Sequence, residues 1–110
     1  MPTVFKQEVV TEIGTTPVDI LQIQPGVRST VIGVNLANTT NFDTVVADLF
    51  VIDQNSTQGF FVRGIIVPPR SAVKVITNGE RLVLPETAGL RLVSDTESSL
   101  DASISYVEIS

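Results

Sequence analysis

A chain of 110 residues with no cysteine and no histidine fits one domain and excludes disulfides, thiolate and imidazole metal centres, cysteine nucleophiles and any Ser-His-Asp triad. The net charge is −5 and the seven Lys and Arg are scattered, so no basic face for phosphate-dominated binding of nucleic acid is expected. Charged residues make up 17% of the chain and hydrophobic ones 43%, against about 25% charged in average globular proteins.

Ser, Thr, Asn and Gln fill the gap in charge. A chain of this size buries roughly 65% of its unfolded surface, enough for one core. The start, MPTVFKQEVVTE, carries charge and has no apolar centre, so a secretory signal is not expected. No apolar run reaches membrane-spanning length, and no membrane partner is expected.

Helical periodicity is nearly absent, and β-branched Thr, Val and Ile dominate. Alternation and turn residues predict about nine strands. The first is Val4 to Ile13, with Phe5, Val9 and Ile13 on one face, ended by Gly14 and Pro17. Val18 to Gln24 follows and closes at Pro25-Gly26. Ser29 to Asn38 places Ile32, Val34 and Leu36 on one side, Val31 and Ala37 on the other. After a polar loop, Thr44 to Asp53 puts Val45, Ala47, Leu49 and Val51 on one face.

Phe60 to Val67 comes next, stopped by Pro68-Pro69, because proline cannot donate to a ladder. Ser71 to Thr77 ends at Asn78-Gly79, a favoured hairpin dipeptide. Arg81 to Leu84, Leu90 to Ser94 and Leu100 to Ile109 complete the set. The spacing predicts an all-β fold: a single antiparallel β-sandwich, jelly-roll or immunoglobulin-like. Residues 1–13 form an N-terminal arm or edge strand, and 14–110 the sandwich. VIGVNLA, FFVRGIIV and LRLV are apolar at both parities. A two-layer fold leaves one face of each strand wet, so neighbouring chains are expected to cover part of the surface.

Reactive sites are hard to build. Asp53, Asn55 and Thr57 alternate as oxygen donors, but the spacing fails the calcium-loop pattern and reads as a hairpin loop. Asp95 and Glu97 lie in a polar turn, SDTESS, rather than across a cleft. No cofactor or metal site is expected, and the chain reads as a non-enzyme. A carbohydrate-binding module needs exposed rings. There is no tryptophan, and Tyr106 shares a strand face with Leu100, Ala102 and Ile104, as a core residue would. Phe60 and Phe61 should split, one to the core and the other to an interface or edge. Phe42, in a loop, is the expected exposed ring.

The C-terminal third carries a pattern of its own: Gly79, then Leu82, Val83 and Leu84, then Gly89, Leu90, Leu92 and Ser94, then Ser98, Ser99 and Leu100, and last Ser105, Tyr106, Glu108 and Ile109. With VIGVNLANTT and VPPRSAVKVI before it, this resembles small virion structural proteins of tailed bacteriophages, cyanophages included, over residues 28–110. The loop Pro85 to Gly89 is longer than the family's, and Leu90 stands where an acid is usual. The RLVL and LRLV pieces read as a hairpin with paired apolar rows, Leu82, Leu84, Leu90 and Leu92.

The resemblance implies a capsid decoration or cement protein that stabilises the head. Its expected location is the virion, with the host cytoplasm during assembly. The expected partners are the chain itself, as a small oligomer such as a trimer, and the major capsid protein or other virion proteins. A neck, tail or baseplate component and a host-surface carbohydrate-binding module are the alternatives. The arm is expected to reach a neighbouring subunit as an added strand. The expected contact residues are Val4, Phe5, Val9, Val10, Phe42 and Phe60.

Overall fold

A computed structural model describes residues 3–76 and 81–109. The described residues form strands and no helix: β1 (Thr3–Ile13), β2 (Val18–Gln22), β3 (Arg28–Asn38), β4 (Val45–Ile52), β5 (Gln58–Val67), β6 (Ala72–Ile76), β7 (Leu82–Leu84), β8 (Gly89–Ser94) and β9 (Leu100–Ile109). Each predicted strand is present, its ends moved by a residue or two. The Asn78-Gly79 turn lies outside the described residues.

Two antiparallel sheets face each other. One has the order β1-β9-β3-β6, with β7 also on β3; the other has the order β2-β8-β4-β5. The pairings are nested: β1 with β9, β2 with β8, β3 with β6 and β7, β4 with β5. The chain doubles back at the β4–β5 turn, and the doubled ribbon wraps into two layers. That arrangement is a jelly roll rather than an immunoglobulin fold. β1 runs along β9 of its own chain from Thr3↔Ile109 to Ile13↔Leu100, as an edge strand.

The nesting corrects one expectation. RLVL and LRLV do not form a hairpin: β7 pairs with β3, while β8 pairs with β2 and β4 in the opposite sheet. Pro85 to Ala88 carries the chain across the sandwich, with Ala88 N–H on Pro85 O at 3.2 Å. Leu84, Leu90 and Leu92 therefore meet across the core from two layers, each fully buried.

Bulges correct the face assignments. An extra residue on one strand reverses the parity of everything beyond it. On β1 the register slips between Val10 and Ile13, and Glu12 takes a left-handed φ of 56°. Ile13 thus enters the core while Phe5 and Val9 stay outside. On β3 a slip between Val31 and Gly33 lets Val31 join Val34 and Leu36 inside and turns Ile32 out. On β4 no such slip is needed, and Val45, Ala47 and Leu49 are buried as expected.

The core is a seam of branched aliphatic side chains with Tyr106 as its one buried aromatic. Its ends are closed by polar groups that find partners. The side-chain amide of buried Asn38 donates to Asp43 O (2.8 Å) and Val67 O (2.9 Å). Its Oδ1 accepts from Thr40 N (2.8 Å) and Thr40 Oγ1 (2.7 Å). Buried Ser94 and Ser99 share a hydroxyl contact of 3.0 Å, and both donate to Thr96 O.

Three substitutions probe this construction by urea unfolding. Leu92→Ala removes a fully buried side chain and is expected to cost about 2–5 kcal/mol. Asn38→Ala takes the amide partner from the buried Val67 carbonyl and from the Thr40 N–H, while Asp43 O keeps Thr40 Oγ1, and is expected to cost about 1–3 kcal/mol. At Gly89 a Cβ would sit 2.6 Å from the Leu21 carbonyl oxygen. Gly89→Ala therefore forces β2 and β8 apart and is expected to cost about 1–3 kcal/mol.

Candidate interaction surface

The apolar residues that the core does not use lie on the outer faces. Residues facing one another across neighbouring strands form rows. On the β1-β9-β3 sheet one row reads Phe5, Val107, Thr30, Val83 across β1, β9, β3 and β7. Phe5 is 77% exposed and Val83 67%. Ile32, turned out by the β3 bulge, lies beside the row. Phe5, Thr30, Ile32, Arg81 and Val107 line an open trough of about 300 Å³. Further along the face the residues become polar, and Gln7 Nε2 donates to Ser103 Oγ at 3.1 Å.

The other sheet has its own row, Asp19, Arg91, Phe50, Phe60 across β2, β8, β4 and β5. Phe50 and Phe60 stack with centroids 4.6 Å apart, and the Arg63 guanidinium lies 4.9 Å from the Phe60 centroid. Exposed Val46 and Ile66 pair with each other farther along the same ladder. Phe61 is exposed as well as Phe60, which corrects the expectation that one of them enters the core. The slips between Ala47, Leu49 and Phe50 on the β4–β5 ladder remove the alternation that would have separated them. A groove of about 360 Å³ lies nearby, and its Arg91 is already held by Asp19 Oδ1 (2.7 Å) and Gln58 Oε1 (2.6 Å).

Among the expected contact residues, Val4, Phe5, Val9, Phe42 and Phe60 are exposed, while Val10 packs partly against the core. Phe5 and Val9 share the outer face of β1. Phe60 lies on the opposite sheet, and Phe42 projects alone from its loop at 90% exposure. These positions do not form one patch. Val83 and Ile66 belong to the outer faces too; they are not among the expected contacts, although their alternation with buried Leu84 and Val67 is a signal for them. Ile32 was not, because only the bulge turns it outward.

The remaining polar candidates have local duties. Asp53 Oδ1 accepts from Asn55 N (2.8 Å) and Thr57 N (2.9 Å), closing the β4–β5 turn. Asp95 Oδ1 accepts from Val46 N at 3.0 Å, and Glu97 accepts from the Thr15 hydroxyl. Neither carboxylate faces a cleft shared with the other. Among the described residues no group of acidic side chains is placed to hold a metal ion, and no helix could cross a membrane. Lys6 lies 3.1 Å from Glu108 Oε1, and that hydrogen bond and charge raise its pKa.

No family model matches the chain, and neither does any curated protein. A solved structure of a Bacillus endospore appendage, from work describing a family of disulfide-linked pili, superposes with a TM-score of 0.58 at 10% identity, over 98% of this chain and 88% of that one. At that identity the likeness shows a shared fold. A chain of infectious bursal disease virus, Gt strain, gives a TM-score of 0.39 at 12% identity, over 94% of this chain and 32% of that one. That score is too low to carry an argument.

Tyr106 supplies a spectroscopic check on the core. It is the single tyrosine, and burial, with Glu8 nearby, raises its pKa. An absorbance titration should show ionisation above the usual phenol value of about 10. A raised native pKa favours the neutral form, so its contribution to stability is whole below the unfolded pKa and is lost as pH rises through the native one. Ionisation at the ordinary value would place the phenol in water.

Proposed function

We propose that this protein is a non-enzymatic structural subunit of a tailed-bacteriophage particle, an oligomeric decoration or cement protein that stabilises the head. The observation that carries this reading is where the aromatic residues lie. The core is aliphatic, whereas four of the five phenylalanines, Phe5, Phe42, Phe60 and Phe61, are exposed. Isolated exposed apolar residues are ordinary. Rows of them on both outer faces, in a chain poor in charge, are the mark of surfaces that other chains cover.

The phage assignment rests on the sequence resemblance over residues 28–110. A neck, tail or baseplate position would use the same surfaces. The mechanism is passive: apolar rows are withdrawn from water against neighbouring subunits and capsid protein, and many copies on a symmetric shell add avidity. A second reading, a filament subunit, is favoured by the fold shared with the spore-appendage protein over nearly the whole chain. With no cysteine, such a filament would be held without disulfides.

Native mass measurement of the isolated protein, followed by mixing with particles stripped of it, tests the proposal. The expected result is a small oligomer that rebinds shells, whereas a monomer without affinity for shells or tails would overturn it. Burying a phenylalanine contributes about 1.5–3 kcal/mol. Phe5→Ser and Phe60→Ser are therefore expected to weaken whichever contact they serve by about 10- to 100-fold. Long filaments would favour the second reading.

A further inference from the structure

Four residue pairs on the open edge of β1 carry a more specific inference, which rests on the reading of the chain as a self-associating subunit. We infer that two copies associate through β1, antiparallel, about a two-fold axis at Gln7, joining two five-stranded sheets into one. The segment Thr3 to Thr11, TVFKQEVVT, is nearly the same read backwards in chemical character. With Gln7 opposite Gln7 of the second copy, Lys6 faces Glu8, Phe5 faces Val9, Val4 faces Val10 and Thr3 faces Thr11, each pair occurring twice.

The geometry agrees with this register. Among the described residues β1 is an edge strand, with β9 on one side and no strand on the other. An edge presents unpaired N–H and C=O groups. Each proposed pair joins residues of equal parity. Outward-facing backbone groups on one copy therefore meet outward-facing groups on the other, as an antiparallel ladder requires. The two-fold also keeps faces matched, so that Phe5 and Val9, both on the outer face, continue the apolar row across the joint. The strand is regular from Thr3 to Val10, and the bulge at Glu12 turns the chain inward just beyond Thr11.

Charge selects this register from its neighbours. An axis at Lys6 sets Lys6 against Lys6, and one at Glu8 sets Glu8 against Glu8. Like charges directly opposite are unfavourable. The other edges are less open to such pairing. β2 and β6 are five residues each, and β2 is bulged between Asp19 and Leu21. β5 slips register twice, and its Gly64, at φ 71°, donates its N–H to Asp48 Oδ1 at 2.8 Å.

Charge reversal in the full chain tests the register. Lys6→Glu and Glu8→Lys are exposed changes, and thermal unfolding checks that each variant folds. Alone, each sets like charges opposite one another twice and should weaken the dimer about tenfold or more. Mixed, with one partner isotope-labelled for native mass spectrometry, the two variants should form a heterodimer of near wild-type affinity, because each charge then meets its opposite.

Gln7→Cys, the only thiol in the chain, should crosslink under mild oxidation, whereas Phe5→Cys should not. A wild-type protein that stays monomeric at roughly millimolar concentration would overturn the inference. So would an oligomer that neither responds to the swaps nor crosslinks at Gln7, and that result leaves the structural-subunit reading standing on other faces. A Gln7-linked dimer that binds no particle would do the reverse.

Discussion

The aliphatic seam between the two sheets is what the rest of the molecule depends on. It is built from Leu, Ile and Val supplied by every strand, and neither sheet can hide those side chains alone. Burial of this surface is the dominant favourable term in folding. It also fixes the strand register, since a slip of one residue would exchange the inner and outer faces. The bulges at Glu12 and Ile32 satisfy this constraint. They allow long strands to bend around the core while Ile13, Val31, Val34 and Leu36 still point into it.

Closing such a seam leaves backbone groups at its ends without ladder partners. Asn38 answers this at one end, using its whole amide to bind two carbonyls and the Thr40 N–H and hydroxyl. Ser94 and Ser99 serve at another, next to Ile13 and Thr96. These are three of the four buried polar residues among those described, and each has a structural partner; the fourth, Ser29, has a buried hydroxyl with none. The buried polar groups that find partners are therefore spent on closure. The surface left for recognition is apolar and hydroxyl-rich, which suits contact with other chains better than chemistry on a small substrate.

Strand positions were legible because proline, glycine and polar clusters punctuate the chain and β-branched residues fill the intervals. The burial of Tyr106 and the exposure of Phe42 followed from strand parity and loop placement. Parity failed on β1, β3 and β5, where bulges intervene. β3 and β5 each have a glycine at the slip, Gly33 and Gly64, whereas Glu12 takes its positive φ without one. The supposed hairpin of RLVL and LRLV failed for a different reason. Adjacent strands in a jelly roll often lie in opposite sheets, and local pattern does not reveal which partner a strand takes.

What the residues alone determined was the β class, the strand intervals, the absence of thiol and imidazole chemistry, and a surplus of apolar side chains over what two layers conceal. Those follow from local propensity and from counting, and both are properties of short windows. The nested strand order, the direction in which Ile32 and Ile13 point, and the meeting of Phe5, Val107 and Val83 in one row were decided by tertiary structure. They depend on pairings between residues as far apart as Thr3 and Ile109, and burial of the shared core selects those pairings over the alternatives that each strand could make by itself.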